Sequence, residues 1–186
     1  MKAQNQMNPR PEVLDALKKI KMLVLDVDGV LTDGGIIFGA DGYEIKTFNV
    51  KDGLGIRLLI ESGIEVCIAT GRKSESLRHR CRELGIPHVL EGLSNKTMAV
   101  SALAEKLDIA FEQMAFIGDD LPDLALMQRV GLPVAVADAH SLIKKTAMMT
   151  TESKGGQGAV REVCECLLQS RNLWEKVLKR FSDAVD

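Results

Sequence analysis

The stretch "MLVLDVDGVLTDG", residues 22–34, places aspartates directly after a run of apolar residues. Apolar runs of this length are typical of strands that are buried on both faces, as in a parallel sheet. Asp26 and Asp28 lie two residues apart, so an extended chain would project both carboxylates to the same side. A plain turn at Asp28 and Gly29 is the alternative, but it leaves the buried charge of Asp26 without a reason. The pair therefore indicates a functional site.

The rest of the chain alternates apolar runs of strand length with segments of helical periodicity. The strand-like runs are "KMLVLDV", "IEVCIAT", "PHVLEG", "MAFIGDD", "LPVAVA" and "MMTT". This alternation predicts right-handed βαβ units, and hence an α/β fold with a Rossmann-like parallel sheet and helices on both faces. We expect residues 1–186 to form a single domain.

Three further elements are predicted around this sheet. The turn signal at Asp41 and Gly42 predicts a small β-hairpin insertion over about 34–50. Ser94 is expected to cap the helix that follows it, and one helix is expected over 121–131. The chain should end in a glycine-rich tail and one amphipathic helix over about 152–186.

Composition argues against several classes of partner. The 186 residues carry a formal net charge of −2, so no basic field points to nucleic acid or to an anionic membrane surface. No stretch approaches the ~18 continuous apolar residues of a membrane span, and the start, "MKAQNQMNPRPEVLD", has no apolar signal-peptide core. The four cysteines form no CxxC pair and fit a reducing compartment. We therefore expect a cytoplasmic protein.

Polar side chains stand at or just beyond the ends of several predicted strands. They are Asp26, Asp28, Thr70, Lys96, Asp119, Asp120 and Asp123. In open parallel sheets, ligands bind outside the carboxyl ends of the strands, so we expect these side chains to meet in one site.

The chemistry of this set points to phosphoryl transfer. Converging carboxylates repel each other without a cation, and Mg²⁺ typically takes one or two carboxylates together with substrate phosphate. A carboxylate nucleophile, a lysine and a hydroxyl would then surround one phosphoryl group. Simpler interpretations stay open: Asp120 and Asp123 could complement a helix dipole, Lys96 could be a surface residue, and "TGR" is a weak signal alone.

Taken in order, "DVDGVLTDG", "TGR", Lys96 and "GDDLPD" resemble the motifs of the haloacid dehalogenase superfamily of phosphatases. The resemblance implies that Asp26 is the nucleophile that forms an aspartyl-phosphate and that Asp28 is the general acid and base. It implies that Thr70 and Lys96 are catalytic residues that bind the phosphoryl group. Mg²⁺ would be held by Asp26, Asp119 and the backbone carbonyl of Asp28.

The resemblance can be narrowed, because about 40 residues separate Asp28 from Thr70 and about 25 separate Thr70 from Lys96. Neither gap holds a cap domain. "FNVKDGLGIRLL", "ATGRKS" and "KGGQGAVREV" resemble the capless 3-deoxy-D-manno-octulosonate 8-phosphate phosphatases of lipopolysaccharide precursor synthesis. That family implies Mg²⁺-dependent hydrolysis of a sugar-acid phosphate by a homotetramer, in which neighbours close each open site and the glycine-rich tail can reach an active site.

The same resemblance implies a set of substrate contacts. They are Asp28, Asn49, Val50, Lys51, Asp52, Gly53, Arg57, Arg72, Arg80, Lys96 and Pro122. Arginines facing the carboxylate of a sugar acid make chemical sense, although a solvated helix face is an alternative for Arg80. The segment after Leu168 extends past the family core, and the sequence gives it no role.

Two alternative functions remain at this stage. The first is a phosphatase of a nine-carbon keto-sugar acid, such as 2-keto-3-deoxy-nonulosonate 9-phosphate, which would use the same chemistry. The second is a receiver-type phospho-signalling module, which also uses acids, Mg²⁺, a Thr and a Lys on a parallel sheet. A receiver needs a phosphoacceptor Asp at another strand end, and no Asp ends "IEVCIAT" or "PHVLEG".

Overall fold

The structure is a computed structural model that describes residues 10–183. Most of the polar start of the chain, on which the expectation about a signal peptide depends, lies outside the described residues. So do the last three residues of the predicted C-terminal segment. Within residues 10–183, no helix is long and apolar enough to cross a membrane.

Six parallel strands form the central sheet, and two short antiparallel strands form a separate hairpin. The strands are β1 (Met22–Leu25), β2 (Ile37–Phe38), β3 (Glu44–Ile45), β4 (Glu65–Ala69), β5 (His88–Leu90), β6 (Met114–Gly118), β7 (Leu132–Ala135) and β8 (Met149–Thr150). The sheet order is β5-β4-β1-β6-β7-β8, and β2 pairs with β3. All four residues of β1 are fully buried, as expected for a strand that is covered on both faces.

The described residues also form eight α-helices and two short 3₁₀ turns, Phe111–Gln113 and Leu121–Asp123. The helices are α1 (Pro11–Lys19), α2 (Val50–Glu61), α3 (Glu75–Leu84), α4 (Lys96–Leu107), α5 (Leu124–Met127), α6 (Ser141–Thr146), α7 (Ala159–Ser170) and α8 (Trp174–Ser182). The predicted α/β fold, with its parallel sheet and hairpin, is confirmed. That residues 1–186 form one domain stays a prediction.

The topology determines where a site can form. β1 lies between β4 and β6, with Leu25 opposite both Ile68 and Ile117. Because the three strands are parallel and in register, the residues that follow them emerge side by side at one edge of the sheet.

Three local predictions were wrong. Asn95, and not Ser94, caps α4, because its side chain accepts a hydrogen bond from the Met98 N–H at 3.0 Å. The segment 121–131 forms a 3₁₀ turn and one short helix in place of a single helix. The C-terminal helix is broken into α7 and α8 at Asn172, which takes a left-handed conformation with φ of 57°.

Candidate active site

The residues that follow β1, β4 and β6 line an open cleft of about 460 Å³. Of the residues that the sequence singles out, the cleft brings together Asp26, Asp28, Thr70, Arg72, Lys96, Asp119, Asp120, Pro122 and Asp123. The strand-end prediction therefore holds for the residues assigned to the reaction and the metal.

Lys96 is buried between two carboxylates at the floor of this cleft. Its Nζ lies 2.7 Å from Asp26 Oδ1 and 2.6 Å from Asp123 Oδ1. Burial opposes the charged form of Lys96, but the two carboxylates outweigh it and raise the pKa of the lysine. An ammonium in the first turn of α4 opposes the helix dipole, so these carboxylates account for its position.

Asp123 acts here as an organising residue. Its Oδ1 accepts from Lys96, and its Oδ2 accepts the Asp119 N–H at 2.9 Å. Both oxygens are therefore engaged, and Asp123 is 1 % exposed. The helix-dipole interpretation of Asp123 is too narrow, because this side chain fixes both the lysine and the backbone at the end of β6.

One lysine does not neutralise the acids around it. Single carboxylate oxygens of Asp26, Asp119 and Asp123 all lie within 4.8 Å of one another. Burial, and then the charges of Asp26 and Asp123, raise the pKa of Asp119 to about 7. Burial also raises the pKa of Asp26 in spite of Lys96, with Asp123 adding to the effect. A cation or a proton must balance the remaining charge.

The cluster fits a hard divalent cation such as Mg²⁺. Its donors are all oxygens. Both oxygens of Asp123 are occupied, so Asp119 and the Asp26 oxygen that does not face Lys96 are the donors left for a cation. Gly29 preserves the space at Asp119: its φ is +89°, and a Cβ there would lie 2.1 Å from Asp119 Oδ2. The backbone of the loop after β1 can thus approach the acid closely.

Thr70 follows β4, is buried and lines the cleft. Thr70 Oγ1 accepts the Arg72 N–H at 3.3 Å, and its backbone is fixed by hydrogen bonds to Leu90 and Leu93. Its hydroxyl proton is therefore available to an anion in the cleft. This geometry supports the role predicted from "TGR".

Asp28 is held by a basic residue that the sequence does not single out. Lys46, which follows β3, donates to Asp28 Oδ1, and Arg72 Nε lies 3.7 Å from Asp28 Oδ2. A usable signal is the pattern Glu44-Ile45-Lys46: it places two charges on one face of a short strand and an exposed isoleucine on the other.

Several residues of the implied substrate set lie outside this cleft. Asn49 caps α2, and Val50 and Lys51 are exposed at the start of that helix. Arg57 and Arg80 face Glu61 and Glu83, respectively. Within the described residues, these side chains and Gly53 line no part of the cleft around Asp26.

Asp52 is also outside the cleft, and its surroundings indicate a structural role. It is 1 % exposed, and its Oδ1 accepts the Arg161 N–H at 2.8 Å in the first turn of α7. Burial raises its pKa, while hydrogen bonds from the start of α7 act in the opposite direction. A carboxylate at a helix N-terminus is stabilising, so Asp52 joins α2 to α7.

The glycine-rich tail packs against the loop that follows β1. The Gly156 N–H donates to the Val30 carbonyl at 2.9 Å, and Asn49 Nδ2 donates to the Gly156 carbonyl at 3.3 Å. A Cβ at Gly155 would lie 1.8 Å from the Gly29 carbonyl oxygen, so only glycine fits there. In this structure the tail does not line the cleft of its own chain.

Comparisons with known proteins agree with this geometry. A family model for haloacid dehalogenase-like hydrolases matches residues 88–163. The 3-deoxy-D-manno-octulosonate 8-phosphate phosphatase of Salmonella typhimurium is 54% identical over 158 residues, which cover 85% of this chain and 84% of that protein. The crystal structure of the Yersinia pestis phosphatase of that name has a TM-score of 0.87 and 48% identity, and covers 89% of both chains.

A second similar structure contains ligands. The Moraxella catarrhalis 3-deoxy-D-manno-octulosonate 8-phosphate phosphatase was crystallised in complex with magnesium ion, phosphate ion and a molecule of KDO. It has a TM-score of 0.89 and 40% identity to this chain, and the match covers 91% of this chain and 98% of that one.

The raised pKa values lead to a prediction about pH and metal. Without metal, Asp26 and Asp119 hold protons more tightly in the folded state than in the unfolded state, where the ordinary value is 3.8. The free energy of unfolding of metal-free protein should therefore fall as the pH rises from about 4 to about 7. Mg²⁺ binds the ionised carboxylates, so it should raise Tm more at about pH 8 than at about pH 5.

This experiment is a thermal melt at both pH values, in chelator and in excess Mg²⁺. The Asp119→Asn variant, which lacks one of the two free carboxylates, should lose most of the Mg²⁺-induced rise. An equal rise at both pH values, or a full rise in Asp119→Asn, would contradict the metal assignment.

Proposed function

Because the chain belongs to the 3-deoxy-D-manno-octulosonate 8-phosphate phosphatases, a family of haloacid dehalogenase-like hydrolases, we propose that it hydrolyses this phosphate ester itself. The products are 3-deoxy-D-manno-octulosonate and phosphate, and the cofactor is Mg²⁺. The observation that carries the proposal is the cluster of Asp26, Lys96 and Asp119 beside Asp28 in one cleft.

The chemistry follows from the positions of these groups. A carboxylate oxygen of Asp26 attacks phosphorus, and the bond from phosphorus to the sugar oxygen breaks as Asp28 gives its proton to that oxygen. Asp28 then takes a proton from water, which attacks the aspartyl-phosphate and releases phosphate and free Asp26. This use of one carboxyl as acid and then as base requires Asp28 to reach the leaving group without binding the metal by its side chain.

The remaining groups stabilise charge. Lys96 and the Thr70 hydroxyl face the oxygens of the transferring phosphoryl group, where fixed donors act without reorganising. Asp26 and Asp119 would hold Mg²⁺, which would neutralise charge on the phosphoryl oxygens. Pro122 and Arg72 line the same cleft and are proposed to contact the sugar acid. Arg72 would pair with the carboxylate of the sugar acid.

Assembly with further copies of the chain is proposed to complete the site. The hairpin exposes several large apolar side chains: Ile36, Ile37, Phe38, Tyr43 and Ile45 are 38–62% exposed, and Val50 at the start of α2 is 78% exposed. A two-stranded hairpin is marginal alone, and contiguous apolar surface marks an interaction site. We propose a homotetramer that packs through these hairpins.

The tetramer also accounts for the substrate residues that lie outside the cleft. Asn49, Val50 and Lys51 adjoin the apolar hairpin surface, so a neighbouring copy can bring them to another cleft. We propose that Arg57 and Arg80 also contribute to the cleft of a neighbouring copy. For Asp52 the buried position at the start of α7 supports a structural contribution instead. A cytoplasmic role in lipopolysaccharide precursor synthesis completes the proposal.

The receiver-type alternative is wrong, since the chain belongs to a phosphatase family. The nine-carbon alternative is decided by phosphate release from a panel of sugar-acid phosphates at equal concentrations, with and without Mg²⁺. We expect kcat/KM for the eight-carbon ester to be at least about tenfold higher than for the nine-carbon ester, a difference of about 1.4 kcal/mol in transition-state binding. A preference for the nine-carbon ester would overturn the substrate assignment.

The assembly proposal makes a separate prediction. A charge at the apolar surface should break the interface, so we expect Phe38→Glu to shift the mass in light scattering from four chains to one. We also expect kcat/KM to fall by at least about tenfold, because no neighbour closes the cleft. Phe181→Glu, at a similarly exposed position on α8, is the control and should keep both properties. An unchanged mass in Phe38→Glu would contradict the proposal.

A further inference from the structure

We propose that Lys46 is a positioning residue for Asp28, so that the hairpin supplies part of the catalytic apparatus within its own chain. The proposal rests on the phosphatase function above and deepens it. It concerns how the proton-transferring carboxyl is held and makes no claim about the sugar acid.

Lys46 is buried against Asp28 and is not among the residues that line the cleft. Its side chain is 2% exposed, and its Nζ donates to Asp28 Oδ1. It is absent from the residues that line the cleft, whereas Asp28 is among them. The lysine therefore contacts Asp28 without itself lining the cleft.

Each oxygen of Asp28 faces a different cation. Arg72 Nε lies 3.7 Å from Oδ2, while Lys46 contacts Oδ1. Two cations on two oxygens define the rotation of the carboxyl plane more strictly than one contact would. The orientation of Asp28 matters because proton transfer requires it to lie within hydrogen-bond reach of the leaving oxygen.

A second acid, Glu44, contacts both cations. Glu44, on β3, pairs with Arg72 and lies 3.5 Å from Lys46 Nζ, and its side chain is 13% exposed. Ser76 Oγ, at the start of α3, donates to the Glu44 carbonyl at 2.9 Å. The hairpin is thus tied to α3 and to the cleft by one continuous network of contacts.

A purely structural role for Lys46 explains less of this geometry. An ammonium that only anchored the hairpin would be satisfied by Glu44, yet Lys46 lies closer to Asp28 than to Glu44. Burying an ammonium is costly, and the carboxyl that acts on the leaving group is its nearest partner. When Asp28 has given up its proton, Lys46 faces the carboxylate that then activates water.

The test uses the different needs of two leaving groups. A sugar alkoxide must be protonated as the ester bond breaks, whereas p-nitrophenolate leaves as a stable anion. A misplaced Asp28 should therefore slow hydrolysis of the sugar-acid phosphate far more than hydrolysis of p-nitrophenyl phosphate. The parameter kcat/KM is suited to this comparison because it includes the steps up to the aspartyl-phosphate and excludes its later hydrolysis.

For Lys46→Met we expect kcat/KM on the sugar-acid phosphate to fall about 100-fold, through kcat and with little change in KM. On p-nitrophenyl phosphate the fall should stay within about threefold. Lys46→Arg should lose less than Lys46→Met, because it restores a cation. Lys106→Met, in the last turn of α4 away from the cleft, is the matched control and should match the unmodified enzyme.

Equal losses on both esters would overturn the proposal, and so would a rise in KM at constant kcat, which would make Lys46 a substrate ligand. Tm and mass are measured for each variant. If Lys46→Met does not fold, Glu44→Gln replaces it, with a smaller loss expected in the same direction. If the unmodified enzyme ignores the sugar-acid phosphate, the proposed function fails, and the comparison continues with the alkyl phosphate that it turns over best.

Discussion

The central constraint on this structure is that the acidic side chains around the end of β1 outnumber the cations that contact them. Lys96 is the one cation among the described residues that contacts Asp26 and Asp123, and Asp119 adds a third carboxylate. When all three acids are ionised, three carboxylates and one ammonium leave two negative charges in a partly dehydrated cleft. Such a group is unfavourable in the resting protein and well suited to hold a divalent cation and a phosphoryl group.

The fold brings these charged side chains together and also holds them in place. β1, β4 and β6 lie side by side, so their ends bring Asp26, Thr70 and Asp119 to one edge of the sheet. Gly29 gives Asp119 room, and Gly155 lets the tail pack against the loop that carries both acids. The surrounding core is apolar and buried, which holds the charged groups at fixed distances.

Sequence predicts the parts of the site that one strand end or one helix start determines. Asp26, Thr70, Lys96 and Asp119 belong to this class, since an apolar run followed by a polar residue is a local signal. Lys46 does not, because its contact with Asp28 depends on how a short hairpin folds back onto the loop after β1. The two oxygens of Asp123 also find their partners only in the folded chain.

Other predictions failed or remain open for physical reasons of the same kind. Ser94 and Asn95 are both good caps, and only the backbone decides between them. Periodicity continues through Asn172, where a left-handed residue breaks the helix. Asn49, Val50 and Arg57 do not line the cleft of their own chain, so the substrate role proposed for them requires assembly, which a single sequence does not encode as a local pattern.

The central claim is that Asp26 carries the phosphoryl group as a covalent intermediate. The most direct measurement mixes the enzyme and Mg²⁺ with substrate labelled in its phosphate, quenches with acid within a turnover, and maps the label by mass spectrometry of peptides. The account predicts label on the peptide that contains Asp26 and none on that peptide in Asp26→Asn. Turnover without label on Asp26, or undiminished turnover in Asp26→Asn, would contradict it.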